Sequence, residues 1–301
     1  GDVVCWEEHE SPYELFIAIL KENGVTSAVI SMDEATPFFI FNGIQKSSNS
    51  FSFIDAKPIT AGCRMIKSES EIAIMQHAMN ITLEVQKAAA RILYIGISAK
   101  EVTDFIHKAH KKYGATAGSY FCIVLFGVDS SFPHGVKSPK NLEANEVVLV
   151  DTGCQLHDYI SDITRSYVFG EPSVQQREVW DAEKAAQAKA FDAAQIGVRC
   201  GDVDLAARKE LEARGFGPGY KTPGLPHRTG HGIGLDMHEW GNAVLGNKRP
   251  LEPGMCFSIE PTVAIPGKFG VRLEDCCYMT ANGPAWFYNP SVAIDDPFGD
   301  N

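Results

Sequence analysis

The sequence predicts an α+β protein in two parts, a small α/β section over residues 1–66 and a larger domain over residues 67–301. Three observations support this. Apolar residues alternate between helical and strand spacing along the chain. Two Ser-x-x-Glu boxes open helices in the second part. A helix–turn–helix followed by strands then occurs twice. With 301 residues, 45% hydrophobic and 22% charged, the chain can bury the core of one large domain or two.

Ser11–Asn23 carries Leu15, Phe16, Ile19 and Leu20 at helical spacing. Val25–Ser31 reads as a buried strand and Phe38–Phe41 as a second. A piece of this size is marginal as an independent unit, and we expect it to be part of a larger domain. The second part opens with a helix from the box Ser68-x-x-Glu71 toward Leu93, then one from Ser98-x-x-Glu101 to Gly114. Strands follow at Tyr120–Phe126, Val147–Val150 and Ile163–Phe169. An Ala-rich helix covers Val174–Ala194, and Ile196-Gly197-Val198 precedes another that ends near Gly215. Ile95 to Ile196, Gly96 to Gly197, Val102 to Val203 and Gly114 to Gly215 are each 101 positions apart. The recurrence predicts an internal duplication and a pseudo-twofold core, although a glycine after a helix is common in any fold.

Net charge is −11, from 38 acids and 27 bases, which argues against nucleic acid as a partner. There is no run of 18 apolar residues, so no membrane span is expected. The start, Gly1-Asp2-Val3-Val4-Cys5-Trp6, lacks the basic-then-apolar pattern of a signal peptide; it also lacks Met, as a processed or trimmed chain would. The eight cysteines, at 5, 63, 122, 154, 200, 256, 276 and 277, form no C-x-x-C pair. Reduced, mostly buried thiols and a cytoplasmic location are the expectation.

Five potential metal ligands are strung along the second part: Asp151, Asp162, His231, Glu260 and Glu274. Four carboxylates and one imidazole suit two adjacent divalent ions of the Mn²⁺, Co²⁺ or Zn²⁺ kind. Such a pair can activate water against a carbonyl, so the set points to a hydrolase. Asp151 follows the apolar run Val147–Val150, Gly153 allows a tight turn, and Asp162 returns on the next strand. The reading is a hairpin with two carboxylates facing one another. Alone, Asp151 would be a turn-capping aspartate and Asp162 the partner of Arg165.

His227, His231 and His238 lie in P-H-R-T-G-H-G-I-G-L-D-M-H-E. A lone histidine is more often structural than a ligand, but three in twelve residues among glycines reverse that expectation. The spacing is not that of a helical H-E-x-x-H zinc face. Glu260 ends the apolar strand Phe257-Ser258-Ile259, and Glu274 lies on the following strand, two residues from Arg272 and so on the same face. Arg272 either orients the carboxylates or a substrate, or makes a structural ion pair. His134, in Ser131-Phe132-Pro133-His134-Gly135, is by itself an unremarkable loop histidine.

From about residue 67 onward these motifs resemble the pita-bread-fold (creatinase/aminopeptidase-like) metallopeptidases, which include methionine aminopeptidase, aminopeptidase P and prolidase. D-T-G with an Asp eleven residues on, H-G-I-G with a His seven on, S-I-E-P and V-R-L-E-D stand in order. The likeness is weaker over residues 1–66, which match part of the family's amino-terminal domain. The resemblance implies that Asp151 binds one metal ion, that Asp162 and Glu274 bridge two, and that His231 and Glu260 bind the other. It implies that Glu260 also moves the proton of the attacking water and that His238 steadies the scissile amide. His134 and His227 match histidines lining the proline side in proline-specific members, and Arg272 an arginine found there.

V-R-L-E-D around Glu274, His227 four residues before His231, and an α/β segment ahead of the main domain favour the proline-specific branch. Creatinase is disfavoured because it dispenses with metal. Two departures stand out. Asn242 occupies the place where some prolidases carry an arginine for the dipeptide carboxylate, with Lys248 or Arg249 as replacements. The amino-terminal section is about half that of two-domain members. The resemblance thus implies a cytoplasmic, homodimeric Xaa-Pro dipeptidase using two divalent ions, Mn²⁺ first, with Co²⁺ or Zn²⁺ as alternatives, on a small proline-containing peptide. Aminopeptidase P is the rival, a hydrolase of a non-peptide amide a third reading, and a binding module on a retired scaffold a fourth.

Overall fold

In the computed structural model, which describes residues 1–299, the chain divides into two compact units, Gly1–Cys63 and Arg64–Asn301. In the first, helix α1 (Pro12–Glu22) starts at an N-cap serine, Ser11, whose hydroxyl accepts from Glu14 N. Strand β1 (Ala28–Met32) pairs in parallel with β2 (Phe51–Asp55). The segment between them is helix α2 (Phe38–Ser47), so the strand expected at Phe38–Phe41 is not formed. An unbroken apolar run carries no periodicity of its own. Here Ile44 on α2 packs with Ile17 on α1 and Phe51 on β2, and tertiary contact decides the conformation. Helix α3 covers Lys57–Met65.

The second unit shows the expected recurrence. Helices α4 (Glu69–Arg91) and α5 (Ala99–Tyr113) both open with complete capping boxes, Ser68/Glu71 and Ser98/Glu101. They are followed by β3 (Ser119–Phe126), β4 (Glu146–Leu156), β5 (Tyr159–Ile160) and β6 (Ile163–Phe169). Then come α6 (Val174–Ala193) and α7 (Cys200–Ala213). Their strands are β7 (Gly230–Gly232), β8 (Glu239–Ala243), β9 (Cys256–Ile259), β10 (Thr262–Ile265), β11 (Phe269–Arg272), β12 (Asp275–Thr280) and β13 (Gly283–Trp286). Helices α4 and α5 pack together, as do α6 and α7.

Strand β4 is flanked by β3 and β6, both antiparallel to it. The second half forms a five-stranded sheet in the order β13-β12-β9-β7-β8 and a hairpin of β10 with β11. An isolated antiparallel bridge, Thr164 with Glu274, joins the two halves. Val148, Val150, Val102, Ile106 and Phe126 form one core beneath the first half. Met75, Met79, Ile163, Ile233 and Cys276 form another, where α4 meets strands of both halves. All eight cysteines are free thiols, five of them buried. No helix among the described residues is long and apolar enough to cross a membrane.

Candidate active site

Asp151 lies within β4 rather than after it, because the strand continues through Gly153 to Leu156. The turn expected at Gly153 falls instead at His157 and Asp158, whose φ values of 46° and 69° are those of a tight hairpin turn. Gly153 serves another purpose: a Cβ there would sit 1.7 Å from Ser161 O, so only glycine lets the strands close. The ladder pairs Asp151 with Thr164. Asp162 is therefore offset two positions along the hairpin from Asp151 instead of standing opposite it. Both carboxylates nevertheless line one cleft.

His231 occupies the centre of β7. A Cβ at Gly230 would meet Ser258 O at 1.9 Å, and one at Gly232 would meet Trp240 O at 1.8 Å, so the flanking glycines let β7 press between its neighbours. The Nδ1 of His231 lies 3.1 Å from Gly232 O. A carbonyl only accepts, so Nδ1 carries the hydrogen and Nε2 presents a bare lone pair. Burial, with His238 next, holds the ring well below the usual histidine range, so it is neutral. That lone pair faces Glu260 Oε1 at 3.3 Å and both Asp162 Oδ2 and Glu274 Oε1 at 3.7 Å.

Such a cluster is unfavourable by itself. Burial, then the neighbouring carboxylates, pushes Asp162 and Glu274 well above the usual carboxylate range. Burial also raises Glu260 to about 7. Asp151 Oδ1, Asp162 Oδ1 and Glu274 Oε1 are buried with no hydrogen-bond partner. Donor atoms of Asp162, His231 and Glu274 all lie within 4.8 Å of one another. Orphaned carboxylate oxygens around a neutral imidazole fit divalent cations, which would supply the missing partner and charge.

Arg272 is the buried cation of the cluster. Its Nη2 donates to Asp151 Oδ2 at 2.5 Å, its Nε to Thr164 Oγ1 at 3.1 Å and its Nη1 to Pro133 O at 3.0 Å. It thus orients a carboxylate and anchors the loop that bears His134. Arg165, by contrast, pairs with Asp275 at 2.8 Å and leaves Asp162 to the cleft. His238 follows β7, with its ring centroid 4.4 Å from that of His231. His227 is held at both nitrogens: Nδ1 donates to Arg228 O (2.6 Å) and Nε2 accepts from Thr262 Oγ1 (2.8 Å). Burial, then Arg272, pushes it down to about 3, so it is a neutral ring.

A cleft of about 450 Å³, within the range of small-molecule sites, contains all nine residues singled out from the sequence: His134, Asp151, Asp162, His227, His231, His238, Glu260, Arg272 and Glu274. It also brings in residues that the sequence did not single out, notably Tyr220, Arg228 and the apolar Phe121, Ile123 and Val244. Arg228 immediately follows His227, so the histidine motif itself could have flagged it. Neither Lys248 nor Arg249 is among the lining residues, and the Arg249 guanidinium is taken by Glu252 at 2.8 Å.

Residues 73–281 match metallopeptidase family M24, and the chain belongs to that family. An uncharacterized peptidase of Staphylococcus aureus (strain MSSA476) is 32% identical over 283 residues, covering 94% of this chain and 78% of its own length. The prolidase of Thermococcus sibiricus superposes with a TM-score of 0.88 at 31% identity, over 96% of this chain and 78% of that one. An X-Pro aminopeptidase of Thermotoga maritima superposes with a TM-score of 0.86 at 28% identity, over 94% and 78%. The pita-bread fold expected from the motifs is the fold of this family, and the chain is a metallopeptidase.

Proposed function

We propose that this chain hydrolyses Xaa-Pro peptide bonds with two divalent metal ions, acting as a dipeptidase on small proline-containing peptides. The observation that carries the reading is the bare Nε2 of His231 among Glu260, Asp162 and Glu274, with orphaned carboxylate oxygens on Asp162 and Glu274 and a third on Asp151 in the same cleft. Asp151 would hold one ion, His231 and Glu260 the other, and Asp162 and Glu274 both. Ions held there supply Lewis acidity and lower the pKa of water. Mn²⁺ is the preferred ion, with Co²⁺ or Zn²⁺ compatible with the same donors. The family resemblance supports a homodimer. Eight free thiols are in keeping with a cytoplasmic location.

The protein's own groups divide the remaining work. Glu260 accepts a proton from the attacking water and returns it to the leaving nitrogen. His238, beside His231 in the cleft, donates to the oxygen of the scissile carbonyl as negative charge develops there. Arg272 holds Asp151 in place. His227, with both nitrogens engaged, offers the proline ring a neutral, fixed wall, and His134 lines the same cleft. Phe121, Ile123 and Val244 make part of that cleft apolar and exclude water around the bond to be cleaved. Arg228 forms no ion pair among the described residues and is the candidate to take the free carboxylate of a dipeptide, in place of the arginine that Asn242 replaces.

Hydrolysis by Mn²⁺-loaded protein of Ala-Pro against Ala-Pro-Ala, each with and without EDTA, tests this. EDTA-sensitive cleavage of Ala-Pro alone is expected. Preference for Ala-Pro-Ala would make the enzyme an aminopeptidase P, the reading that Asn242 and the Thermotoga maritima likeness favour. Cleavage of neither would overturn the proline-specific assignment.

A further inference from the structure

Two glutamines with no part in the chemistry lie beneath the strands that carry the carboxylates. Gln86 is on α4 and Gln187 on α6, and both are fully buried. They stand 101 positions apart (187 − 86), the interval at which the helix–turn–helix recurs. Gln86 Nε2 donates to Val150 O at 3.0 Å and to Ile163 O at 2.9 Å. Val150 precedes Asp151, and Ile163 follows Asp162. Gln187 Nε2 lies 3.4 Å from Ile259 O and 3.1 Å from Leu273 O, the residues before Glu260 and Glu274. It also donates to Asp275 Oδ2 at 2.7 Å, so two hydrogens serve three acceptors.

Carbonyl oxygens only accept, which fixes the orientation of both amides with nitrogen toward the strands. The Oε1 of Gln86 is buried without a partner. Burying an unpaired amide oxygen is unfavourable, so the contribution of this side chain is the pair of bonds made by its nitrogen. Each glutamine ties together two backbone segments from its own half of the molecule. Three of the four tied carbonyls, those of Val150, Ile259 and Leu273, belong to the peptide unit that leads into a carboxylate-bearing Cα, and that of Ile163 lies one peptide unit beyond Asp162. A change in the tie would therefore move the carboxylates relative to one another.

We propose that Gln86 and Gln187 are equivalent positioning residues, one in each half, that set the spacing of Asp151 with Asp162 and of Glu260 with Glu274 and so the affinity of the metal centre. This rests on the metal-dependent reading above. It extends the duplication from the helices to the support of the ligands. Residues that orient ligands without touching the ion commonly govern affinity by 10–100-fold.

The test is Mn²⁺ binding by equilibrium dialysis to the full chain and to Gln86→Leu and Gln187→Leu, with urea unfolding of each protein after chelation. Trp180→Phe is the control, since Trp180 Nε1 donates to Ser166 O, a strand carbonyl not adjacent to a ligand. The unsubstituted chain should bind two ions. Each leucine variant should lose affinity by about 10–100-fold, and Trp180→Phe should lose stability alone. Leucine variants that unfold at lower urea but bind Mn²⁺ as the unsubstituted chain does would overturn the proposal and assign the glutamines to the core. If leucine prevents folding, Gln86→Met and Gln187→Met carry the same comparison, with the same outcomes. Failure of the unsubstituted chain to bind Mn²⁺ would overturn the metal reading, and this inference with it.

Discussion

Arg228 and His227 are adjacent in sequence, yet their assigned tasks differ. Both nitrogens of His227 are engaged, so its ring can shape the cleft but has no spare donor for a substrate. Arg228 lines the same cleft with no ion pair among the described residues. Replacing Arg228 by glutamine removes one charge-assisted hydrogen bond, worth about 1.5–3 kcal/mol. KM for Ala-Pro should then rise roughly 10–100-fold, since each 1.4 kcal/mol is a factor of ten. KM for Ala-Pro amide, which lacks the carboxylate, should not change. An equal rise for both substrates would mean that Arg228 shapes the cleft instead of holding a charge. That Asp151, Asp162, His231, Glu260 and Glu274 share one cleft was legible because few other roles explain four acids and a histidine in such motifs. Arg228 had only its place beside His227 in the motif to flag it, because no spacing separates an arginine in the cleft from a solvated one in a glycine-rich loop.

At the scale of elements, α7 organises the wall in which these residues sit. The segment Gly219–Thr229 has no helix or strand of its own. Arg208 donates to Gly219 O (2.7 Å), Leu225 O (3.1 Å) and His227 O (2.5 Å), and its guanidinium lies 4.0 Å from the centroid of Tyr220. Asp204, one turn earlier, pairs with Arg208 at 2.8 Å and accepts from Thr229 N and Oγ1. Arg208→Met would strand the Asp204 carboxylate and three carbonyls, at a cost of roughly 3–5 kcal/mol. Urea unfolding should show that loss together with a raised KM, and unchanged stability would rule out the clamp. The sequence conveyed the helix itself but not this task, because the bonds reach up to 25 residues along the chain. Elements with local signals were legible: both capping boxes formed at Ser68 and Ser98. Elements decided by tertiary contact were not. Phe38–Phe41 became helix through packing on α1, and Gly153 is glycine because Ser161 O approaches it, a cause no turn rule contains.

At the scale of the whole molecule, the two halves meet at the candidate ligands, so metal held there would couple binding to global stability. Thr164 and Glu274 bridge the halves through both backbone bonds, and Thr164 Oγ1 donates to Glu274 Oε2 at 2.7 Å. Without metal, Glu260 sits at about 7, and Asp162 and Glu274 well above the carboxylate range, each raised chiefly by burial. A carboxyl raised in the folded state binds more protons there than in the unfolded chain. Its favourable contribution is present below the unfolded value and is lost as pH rises through the folded one. The metal-free protein should therefore lose stability as pH climbs from about 4.5 toward and beyond 7. Bound cations replace the protons and should remove that loss. The metal-dependent rise in Tm should consequently be small at pH 5.5 and larger at pH 8. At a hundredfold excess of ion over Kd the stabilisation is about 2.7 kcal/mol per ion. His110 is buried and held down at about 4, so it weakens the fold as pH falls from 6.5 toward 4. It lies outside the ligand cluster and acts alike with and without metal, so it cancels in the difference. Paired melting curves with Mn²⁺ and with EDTA across this range read the coupling directly. A difference that shrinks as pH rises would mean that the carboxylates are not uncompensated in the metal-free fold.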